Sequence, residues 1–233
     1  MRHVSLADEV YHPTTPETYQ RMKSLMRLIV SFFARTTLLG VEHVPPTGPL
    51  LVTTNHLSLL DPPLLLVATP RQGVMFITSK HKKNPLIAAV VRAIGCIWVE
   101  RGEADRAALR ATLEVLKTDI VVGIAPEGTR SPTHSLQPAK TGTAYLATRS
   151  NAAILPSAVW GVETMRHSLL RARRPAVFIR YGPTYQLPED PRAKGEALEA
   201  YTTEIMCRTA ALLPEKYRGV YADHPRVREL LEV

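Results

Sequence analysis

The chain of 233 residues contains only two cysteines and few aromatic residues. Cys96 and Cys207 lie far apart in apolar stretches, which predicts two buried free thiols and a reducing compartment. Aromatic residues make up 6% of the chain and have no spacing that suggests a stacking platform for bases. The histidines and cysteines also lack a recognisable metal-ligand spacing. We therefore expect neither a metal site nor a nucleic-acid interface.

Long apolar runs are absent as well. No stretch reaches 18 consecutive apolar residues, so the sequence predicts no standard membrane-spanning helix. No apolar segment follows the first charges after Met1, which argues against a signal peptide. The formal net charge is +8, with a pI near 9.7. This charge predicts attraction to an anionic partner: nucleic acid, a membrane surface, or a phosphorylated or acidic molecule, with nucleic acid ranked lower because aromatic residues are few. The alternative is a solvated basic surface without a specific partner.

From residue 50 onward, short apolar, β-branched runs alternate with helical patterns, which predicts an α/β fold. The expected architecture is a mixed, largely parallel sheet flanked by helices. The predicted strands are Leu50–Thr53, Val74–Thr78, Ile97–Val99, Ile120–Ala125, Ile154–Trp160 and Val177–Tyr181. The predicted helices are Pro62–Thr69, Pro85–Ile94, Asp105–Lys117, Lys140–Arg149 and roughly Gly195–Leu213. The basic stretch Arg166–Arg180 is predicted to be a solvated loop that leads into the last strand.

The segment before residue 40 has a different pattern. After a polar lead-in over residues 1–15, Pro16–Leu39 has helical periodicity with basic residues interleaved. Its predicted apolar face consists of Leu25, Leu28, Ile29, Phe32 and Phe33. Such a face suits either a helix in the membrane interface or a helix that packs on the core. The sequence thus predicts an amphipathic segment over residues 1–39 and a second unit over residues 40–233.

The first candidate site is Thr54-Asn55-His56-Leu57-Ser58-Leu59-Leu60-Asp61, directly after a predicted strand. In a strand-to-helix turn, the Asp61 carboxylate is able to fix the tautomer of His56 and leave its other ring nitrogen free for a proton. No nucleophile lies in the same turn, which indicates that the attacking group arrives with the substrate. The alternative is structural: Asp61 as a helix N-cap and His56 as an ordinary histidine at a strand end.

Two further strands are predicted to end in motifs suited to phosphate. Ala125-Pro126-Glu127-Gly128-Thr129-Arg130-Ser131 combines a glycine turn, two hydroxyls and a guanidinium, and Arg101 follows another strand. Ligands bind at strand ends in α/β sheets. Taken singly, each motif is compatible with an ordinary charged turn. Together with His56 they predict a site that binds phosphate and transfers a proton.

These motifs resemble the four sequence blocks of the PlsC-type glycerolipid acyltransferases, the 1-acyl-sn-glycerol-3-phosphate acyltransferase family. The blocks are Asn55–Asp61, Gly95–Arg101, Pro126–Ser131 and Ile154–Val159, in the family's order. The likeness runs from about residue 39 to 161. Two departures are expected to affect the pocket: Trp98 and Glu100 replace the more usual phenylalanine and aspartate, and Ser157 stands where a small apolar residue is commoner.

The resemblance implies transfer of a fatty acyl group from acyl-CoA or acyl carrier protein to the sn-2 hydroxyl of 1-acyl-sn-glycerol 3-phosphate, which forms phosphatidate. Glycerol 3-phosphate and other lysophospholipids are alternative acceptors. No cofactor is expected beyond the acyl donor, which is a substrate. A rival from another class is a non-catalytic peripheral protein that binds anionic membranes or nucleic acid by charge.

The resemblance also implies roles for individual residues. His56 is expected to be the general base and Asp61 to orient it. Arg101 and Arg130 are expected to bind the acceptor's phosphate, with Lys80 as a weaker candidate. Glu127 is expected to bond a glycerol hydroxyl or hold an arginine, Thr129 to offer a hydroxyl, and backbone N–H groups near Gly128 to face the developing oxyanion. The lipid substrates imply a peripheral, monotopic protein on the cytoplasmic face of a membrane, in contact with its lipids.

Overall fold

The computed structural model describes residues 10–100 and 105–232. Within them, a mixed sheet of eight strands has the order β1-β5-β4-β6-β3-β7-β8-β2. The strands are β1 (Tyr11–His12), β2 (Arg35–Leu39), β3 (Leu50–Thr53), β4 (Gly73–Thr78), β5 (Cys96–Val99), β6 (Val121–Ile124), β7 (Ala153–Trp160) and β8 (Ala176–Tyr181). The strands β5, β4, β6, β3 and β7 are parallel neighbours, whereas β1 and β8 run against them. The expected α/β architecture is confirmed.

Helices cover both faces of this sheet. They are α1 (Pro16–Phe33), α2 (Asp61–Ala68), α3 (Pro85–Ile94), α4 (Arg106–Val115), α5 (Gly142–Ser150), α6 (Met165–Leu170), α7 (Glu196–Leu212) and α8 (Pro225–Leu231). The helices α1, α2 and α3 pack together, and α4 packs against α5, which packs against α7. Because the central strands lie between these layers, β3 is buried along its whole length, as its apolar run predicts.

Local sequence signals explain where several helices begin. Asn84 accepts hydrogen bonds from the N–H groups of Leu86 and Ile87, and Pro85 occupies the first helical position of α3. Asp105 caps α4 by accepting from Ala108 N at 2.9 Å. Thr15 caps α1 in the same way, and Pro16 follows it. The predicted start of each of these helices lies within one residue of the observed start.

Two predicted elements are wrong in part. The N-terminal helix was expected to reach Leu39, but it ends at Phe33, and Arg35–Leu39 forms an edge strand parallel to β8. Ala34 is extended, and the two β-branched residues that follow Arg35 suit a strand. The expected loop over residues 166–180 instead contains most of α6 and nearly all of β8. The expectation for residues 1–9 lies outside the described residues.

The parallel strands β3 to β7 all end at the same edge of the sheet, here called the carboxyl edge. The chain leaves β3 there for the His56 turn and leaves β6 there for the Pro126–Ser131 loop. The two motifs are therefore neighbours because their strands pair directly. This edge is where α/β sheets place ligands, in agreement with the sequence-based expectation.

Candidate active site

His56 and Asp61 form a side-chain pair at the start of α2. The ring nitrogen Nδ1 of His56 lies 3.1 Å from Oδ2 of Asp61, whose side chain is almost fully buried. The same oxygen accepts hydrogen bonds from the backbone N–H groups of Leu57 and Ser58, both at 2.7 Å. A carboxylate held by two backbone donors cannot rotate freely, so it fixes the imidazole with Nδ1 as the donor. The ring nitrogen Nε2 of His56 is then the one available to a substrate.

Asp61 is thus not a simple N-cap, because it is the first residue of α2 and its carboxylate turns back to the preceding loop. The helix begins after Leu60, whose side chain supplies no cap. Asp61 therefore has both a structural and a functional role. Its Oδ2 atom accepts hydrogen bonds from the backbone of the turn and also orients the ring of His56.

Asn55 fastens the turn to the neighbouring strand β7. Its side-chain amide donates to the carbonyl of Val159 at 2.7 Å and accepts from the N–H of Val159 at 2.8 Å. The side chain therefore satisfies both the C=O and the N–H of Val159 just beyond the end of β3. Asn55 is fully buried. It positions the backbone of His56 relative to the sheet, a role that the sequence analysis did not assign.

Glu127 holds the same turn from the other side. Its carboxylate accepts from His56 N through Oε1 and from Gln137 N through Oε2, both at 2.9 Å. The side chain is about 2% exposed. Both oxygens are thus engaged by backbone donors, which gives Glu127 a role in positioning His56. Its expected bond to a glycerol hydroxyl or to an arginine stays a prediction.

Burial raises the pKa of the Glu127 carboxyl to about 7, although the backbone donors of Gln137 and His56 act in the opposite direction. Ser131 completes the attachment, since its N–H donates to the carbonyl of His56 at 2.8 Å. The loop Pro126–Ser131 therefore bonds both backbone groups of His56: Glu127 accepts from its N–H, and Ser131 donates to its C=O.

Gly128 forms the sharp turn in that loop. Its φ is +66°, a conformation that side chains rarely adopt, and its N–H donates to the carbonyl of Ala125 at 3.0 Å. This N–H is therefore engaged within its own turn. The expectation that other backbone N–H groups near Gly128 face a developing oxyanion stays a prediction. Gly128 and Thr129 both line the cavity beside His56.

The cavity at the carboxyl edge has a volume of about 1000 Å³. His56, Asp61, Gly128 and Thr129 lie on its lining together with Asn55. The remaining walls come from β4, β5 and the helices α4, α5 and α7. They are mostly apolar, but they also contain the charged residues Glu100, Asp105, Arg106 and Arg110. The apolar residues include Met75, Phe76, Val99, Leu109, Tyr145 and Leu198. The site thus combines a histidine–aspartate pair with a deep apolar chamber, which suits a substrate with a polar reacting end and a hydrocarbon tail.

The cations predicted for phosphate are placed differently. Arg130 and Lys80 are exposed, and neither is among the described residues that line the cavity. Arg101 lies outside the described residues. Lys140, which the sequence analysis missed, does line the cavity, and its side-chain methylenes would lie 3.4–3.5 Å from a Cβ added at Gly128. A lysine that follows a polar loop by several residues gives no sequence signal of its own.

The fold agrees with comparisons against known proteins. Residues 35–160 match the profile of the Acyltransferase family. The chain belongs to this family. The matched residues include His56, Asp61 and the loop Pro126–Ser131, and they run from β2 to the end of β7.

Individual relatives of this acyltransferase chain point the same way. The 1-acyl-sn-glycerol-3-phosphate acyltransferase alpha of Mus musculus is 29% identical over 149 residues, which are 59% of this chain and 50% of the mouse protein. The 1-acyl-sn-glycerol-3-phosphate acyltransferase of Borreliella burgdorferi is 25% identical over 119 residues, or 50% of this chain and 48% of that protein. The chain therefore spans about half the length of these curated relatives.

A solved structure has the same fold. The crystal structure of PlsC from Thermotoga maritima, a 1-acyl-sn-glycerophosphate acyltransferase, matches with a TM-score of 0.63. The match covers 80% of this chain and 76% of that one, at 23% identity. The PlsC-type resemblance drawn from the four sequence blocks is confirmed at the level of family and fold.

Proposed function

We propose that this protein transfers a fatty acyl group from a thioester to the sn-2 hydroxyl of 1-acyl-sn-glycerol 3-phosphate, which yields phosphatidate. The observation that carries the proposal is the His56–Asp61 pair at the edge of a largely apolar cavity of about 1000 Å³. The proposal is also supported by relatives named 1-acyl-sn-glycerol-3-phosphate acyltransferase, which share the matched region. Acyl-CoA and acyl carrier protein are both candidate donors.

In the proposed reaction, Nε2 of His56 removes the proton from the acceptor hydroxyl as the oxygen attacks the thioester carbonyl. A new C–O bond forms, and the tetrahedral intermediate collapses with cleavage of the C–S bond. The imidazolium returns its proton to the departing thiolate. Asp61 favours this cycle because its buried carboxylate stabilises the transient positive charge on the ring. No acyl-enzyme intermediate is needed, since the acceptor oxygen is the nucleophile.

The acceptor's phosphate requires cations near the polar end of the cavity. Lys140 lines the cavity beside Gly128 and Thr129, and Arg130 is in the same loop as the last two. We assign the phosphate to Lys140 and Arg130, with Arg101 as the third group that the resemblance implies. A guanidinium binds phosphate in a bidentate manner that an ammonium group cannot reproduce.

The experiment is an acyl-transfer assay with several acceptors. Labelled acyl-CoA and acyl-acyl carrier protein are each offered with 1-acyl-sn-glycerol 3-phosphate, glycerol 3-phosphate, a lysophosphatidylcholine and a monoacylglycerol. We expect 1-acyl-sn-glycerol 3-phosphate to give the highest kcat/KM.

Arg130→Lys should raise KM for this acceptor about tenfold, because losing a charge-assisted hydrogen bond costs about 1.5–3 kcal/mol. Its use of the monoacylglycerol, which has no phosphate, should not change.

Arg228→Lys is the matched control, because Arg228 is an exposed arginine on α8. Equal KM values for Arg130→Lys and the control would remove Arg130 from the phosphate site. A preference for glycerol 3-phosphate or a lysophosphatidylcholine would change the acceptor but keep the reaction. Absence of product from every donor and acceptor would contradict the proposed function and favour a non-catalytic binding protein.

We also propose that the protein is peripheral and monotopic, and that α1 lies in the membrane interface. None of the helices in the described part of the chain has the length and apolar content to span a bilayer. The predicted apolar face of α1, from Leu25 to Phe33, is 43–72% exposed instead of packed on the core. Exposed leucines and phenylalanines on a basic helix suit burial at a lipid headgroup boundary. Two buried free cysteines are compatible with the cytoplasmic face.

A further inference from the structure

The turn at the end of α6 exposes two leucines next to two arginines. This surface, here called the α6 tip, consists of Leu169, Leu170, Arg171, Ala172 and Arg173. Leu170 is 79% exposed and Leu169 39%. The guanidinium groups of Arg171 and Arg173 form no ion pair within the described residues, and both side chains are exposed.

The backbone closes this tip into a defined shape. Both Arg171 N and Arg173 N donate to the carbonyl of Ser168, at 3.0 Å and 2.9 Å, and Ala172 N donates to the carbonyl of Leu169 at 3.0 Å. Ala172 has a φ of +51°. A reversal of this kind sets the leucines outward, where neither contributes to the core. Their exposure therefore has no explanation in the folding of the chain itself.

The base of the tip is fastened to the end of α1. The Arg174 guanidinium donates to the carbonyls of Ser31 and Ala34, and Arg35 N donates to the carbonyl of Pro175 at 2.8 Å. Ser31 directly precedes Phe32, the most exposed residue of the α1 apolar face. The tip and the outer face of α1 thus adjoin.

The topology sets both surfaces at the carboxyl edge. Trp160 ends β7 at this edge, and Val159 beside it bonds Asn55, the neighbour of His56. The chain then runs through Gly161 into α6 and re-enters the sheet at Ala176, also at the carboxyl edge because β8 is antiparallel to β7. A surface that contacts the α6 tip therefore faces the side of the molecule where the His56 turn lies.

The charge around the α6 tip indicates which kind of partner it binds. Residues 164–188 contain five arginines and no aspartate or glutamate. Exposed apolar side chains flanked only by positive charge match a layer of anionic headgroups over hydrocarbon.

We propose that the α6 tip is a second membrane-docking element, which inserts Leu169 and Leu170 and binds anionic phospholipid headgroups through Arg171 and Arg173. This inference rests on the proposed membrane association of α1. It extends that proposal by giving the protein two contacts, which together orient the carboxyl edge towards the lipid.

The test is sedimentation of the full chain with vesicles of phosphatidylcholine, with or without phosphatidylglycerol. Arg171→Gln/Arg173→Gln should lower partitioning onto phosphatidylglycerol-containing vesicles by about ten- to thirtyfold at low salt, with little effect on pure phosphatidylcholine. Leu169→Ser/Leu170→Ser should weaken binding to both vesicle types, by about tenfold. The control Val220→Ser/Leu231→Ser changes two exposed apolar residues elsewhere and should bind as the wild type does.

The outcomes separate the two proposals. If the wild type does not bind vesicles, the proposed membrane association fails, and the α6 tip proposal with it. If the wild type binds and the tip variants match the control, only the tip proposal is overturned. A concentration-dependent dimer that Leu170→Ser abolishes, without any change in vesicle binding, would also overturn it, since the occupant would then be a second copy. All variants should acylate a detergent-dispersed acceptor at the wild-type rate.

Discussion

At the residue scale, the site depends on polar side chains that bind backbone rather than substrate. Asn55, Asp61 and Glu127 each use their oxygens to hold the loop that contains His56. Buried polar groups are stabilised by hydrogen bonds, and Asn55, Glu127 and the Oδ2 atom of Asp61 each meet a particular backbone position. The other oxygen of Asp61, Oδ1, is buried without a partner among the described residues. The consequence of the bonds to the backbone is an imidazole whose position is set on three sides before any substrate binds.

Glu127 makes the stability of this loop dependent on pH. Burial raises its pKa from 4.5 to about 7, so the unfolded chain releases this proton at lower pH than the folded one. Its contribution to the free energy of unfolding is therefore fully present below pH 4.5 and is lost as pH rises through 7. The loss is at most about 3.5 kcal/mol, because the two pKa values differ by about 2.5 and each unit of pKa corresponds to about 1.4 kcal/mol.

We expect Glu127→Gln to remove this dependence, because an amide does not titrate. The pH dependence is measured by urea unfolding at several pH values between 4.5 and 7. As pH rises, the free energy of unfolding of the wild type should fall more steeply than that of the variant. Parallel curves would mean that the pKa of Glu127 is the same in the folded and unfolded chain, which would contradict the effect of burial. Glu189→Gln, at an exposed carboxyl without a hydrogen bond or ion pair within the described residues, is the matched control and should not alter the slope.

The sequence predicted the His56–Asp61 pair and the Pro126–Ser131 loop because both motifs directly follow apolar runs that predict strands. The structure adds that these two strands pair side by side. It did not predict what Glu127 and Lys140 do. A carboxylate and an ammonium group are equally compatible with substrate and with backbone, and only the fold decides which partner each one meets. The same limit applies to Gly128, whose N–H is engaged within its own turn.

At the scale of elements, α1 has two different faces. Tyr19 is fully buried, and its hydroxyl accepts from Gly73 N at 3.0 Å, which fixes the inner face to the start of β4. Lys23 is buried on the same face and donates to the carbonyl of Thr69. The outer face is apolar and exposed. This inversion, with a cation inside and leucines outside, is the reverse of a helix that only packs on a core.

Burial lowers the pKa of Lys23 to about 8, with Arg27 adding to the effect. Lys23→Met should therefore raise the free energy of unfolding at pH 7 by about 1–2 kcal/mol, since it removes a buried charge that has no anionic partner among the described residues. The folded-state pKa lies below 10.5, so the wild type gains stability as pH rises from 8 to 10.5, and the difference from the variant should shrink there.

Thermal or urea unfolding at pH 7 and pH 10 provides the measurement for Lys23→Met. Lys117→Met, at an exposed lysine, is the control and should change stability by less than about 0.5 kcal/mol. A less stable Lys23→Met at pH 7 would show that the bond to the Thr69 carbonyl outweighs the cost of burying the charge.

Elements were predictable from sequence where burial imposes a pattern. The predicted starts of strands β3 to β8 lie within one residue of the observed starts. Most residues of these strands are buried or half-buried, so each strand is an apolar run that is visible in the sequence. The edge strand β2 was missed since all five of its residues are exposed and its neighbours are helical in pattern. The helix α6 was missed because it has only six residues, too few to show a helical periodicity among basic neighbours. Its residue Met165 packs against a core cluster most of whose members are far away in sequence.

At the scale of the whole molecule, one edge of the sheet concentrates the chemistry and the proposed lipid contacts. The His56 turn, the loop Pro126–Ser131 and the α6 tip all leave strands at the carboxyl edge. The apolar cavity opens from the same place and extends between the sheet and the helices α4, α5 and α7. A lipid acceptor that arrives from a membrane would thus meet His56 with its polar end while its hydrocarbon remains in apolar surroundings.

The most direct test of this account is acyl transfer by His56→Ala compared with the wild type, using 1-acyl-sn-glycerol 3-phosphate and a labelled thioester donor. His56 acts as the general base in this account, so the rate should fall by about 10²–10⁴. Vesicle binding and the thermal unfolding midpoint should stay near those of the wild type. Phosphatidate formed at an unchanged rate by a folded His56→Ala protein would contradict the mechanism.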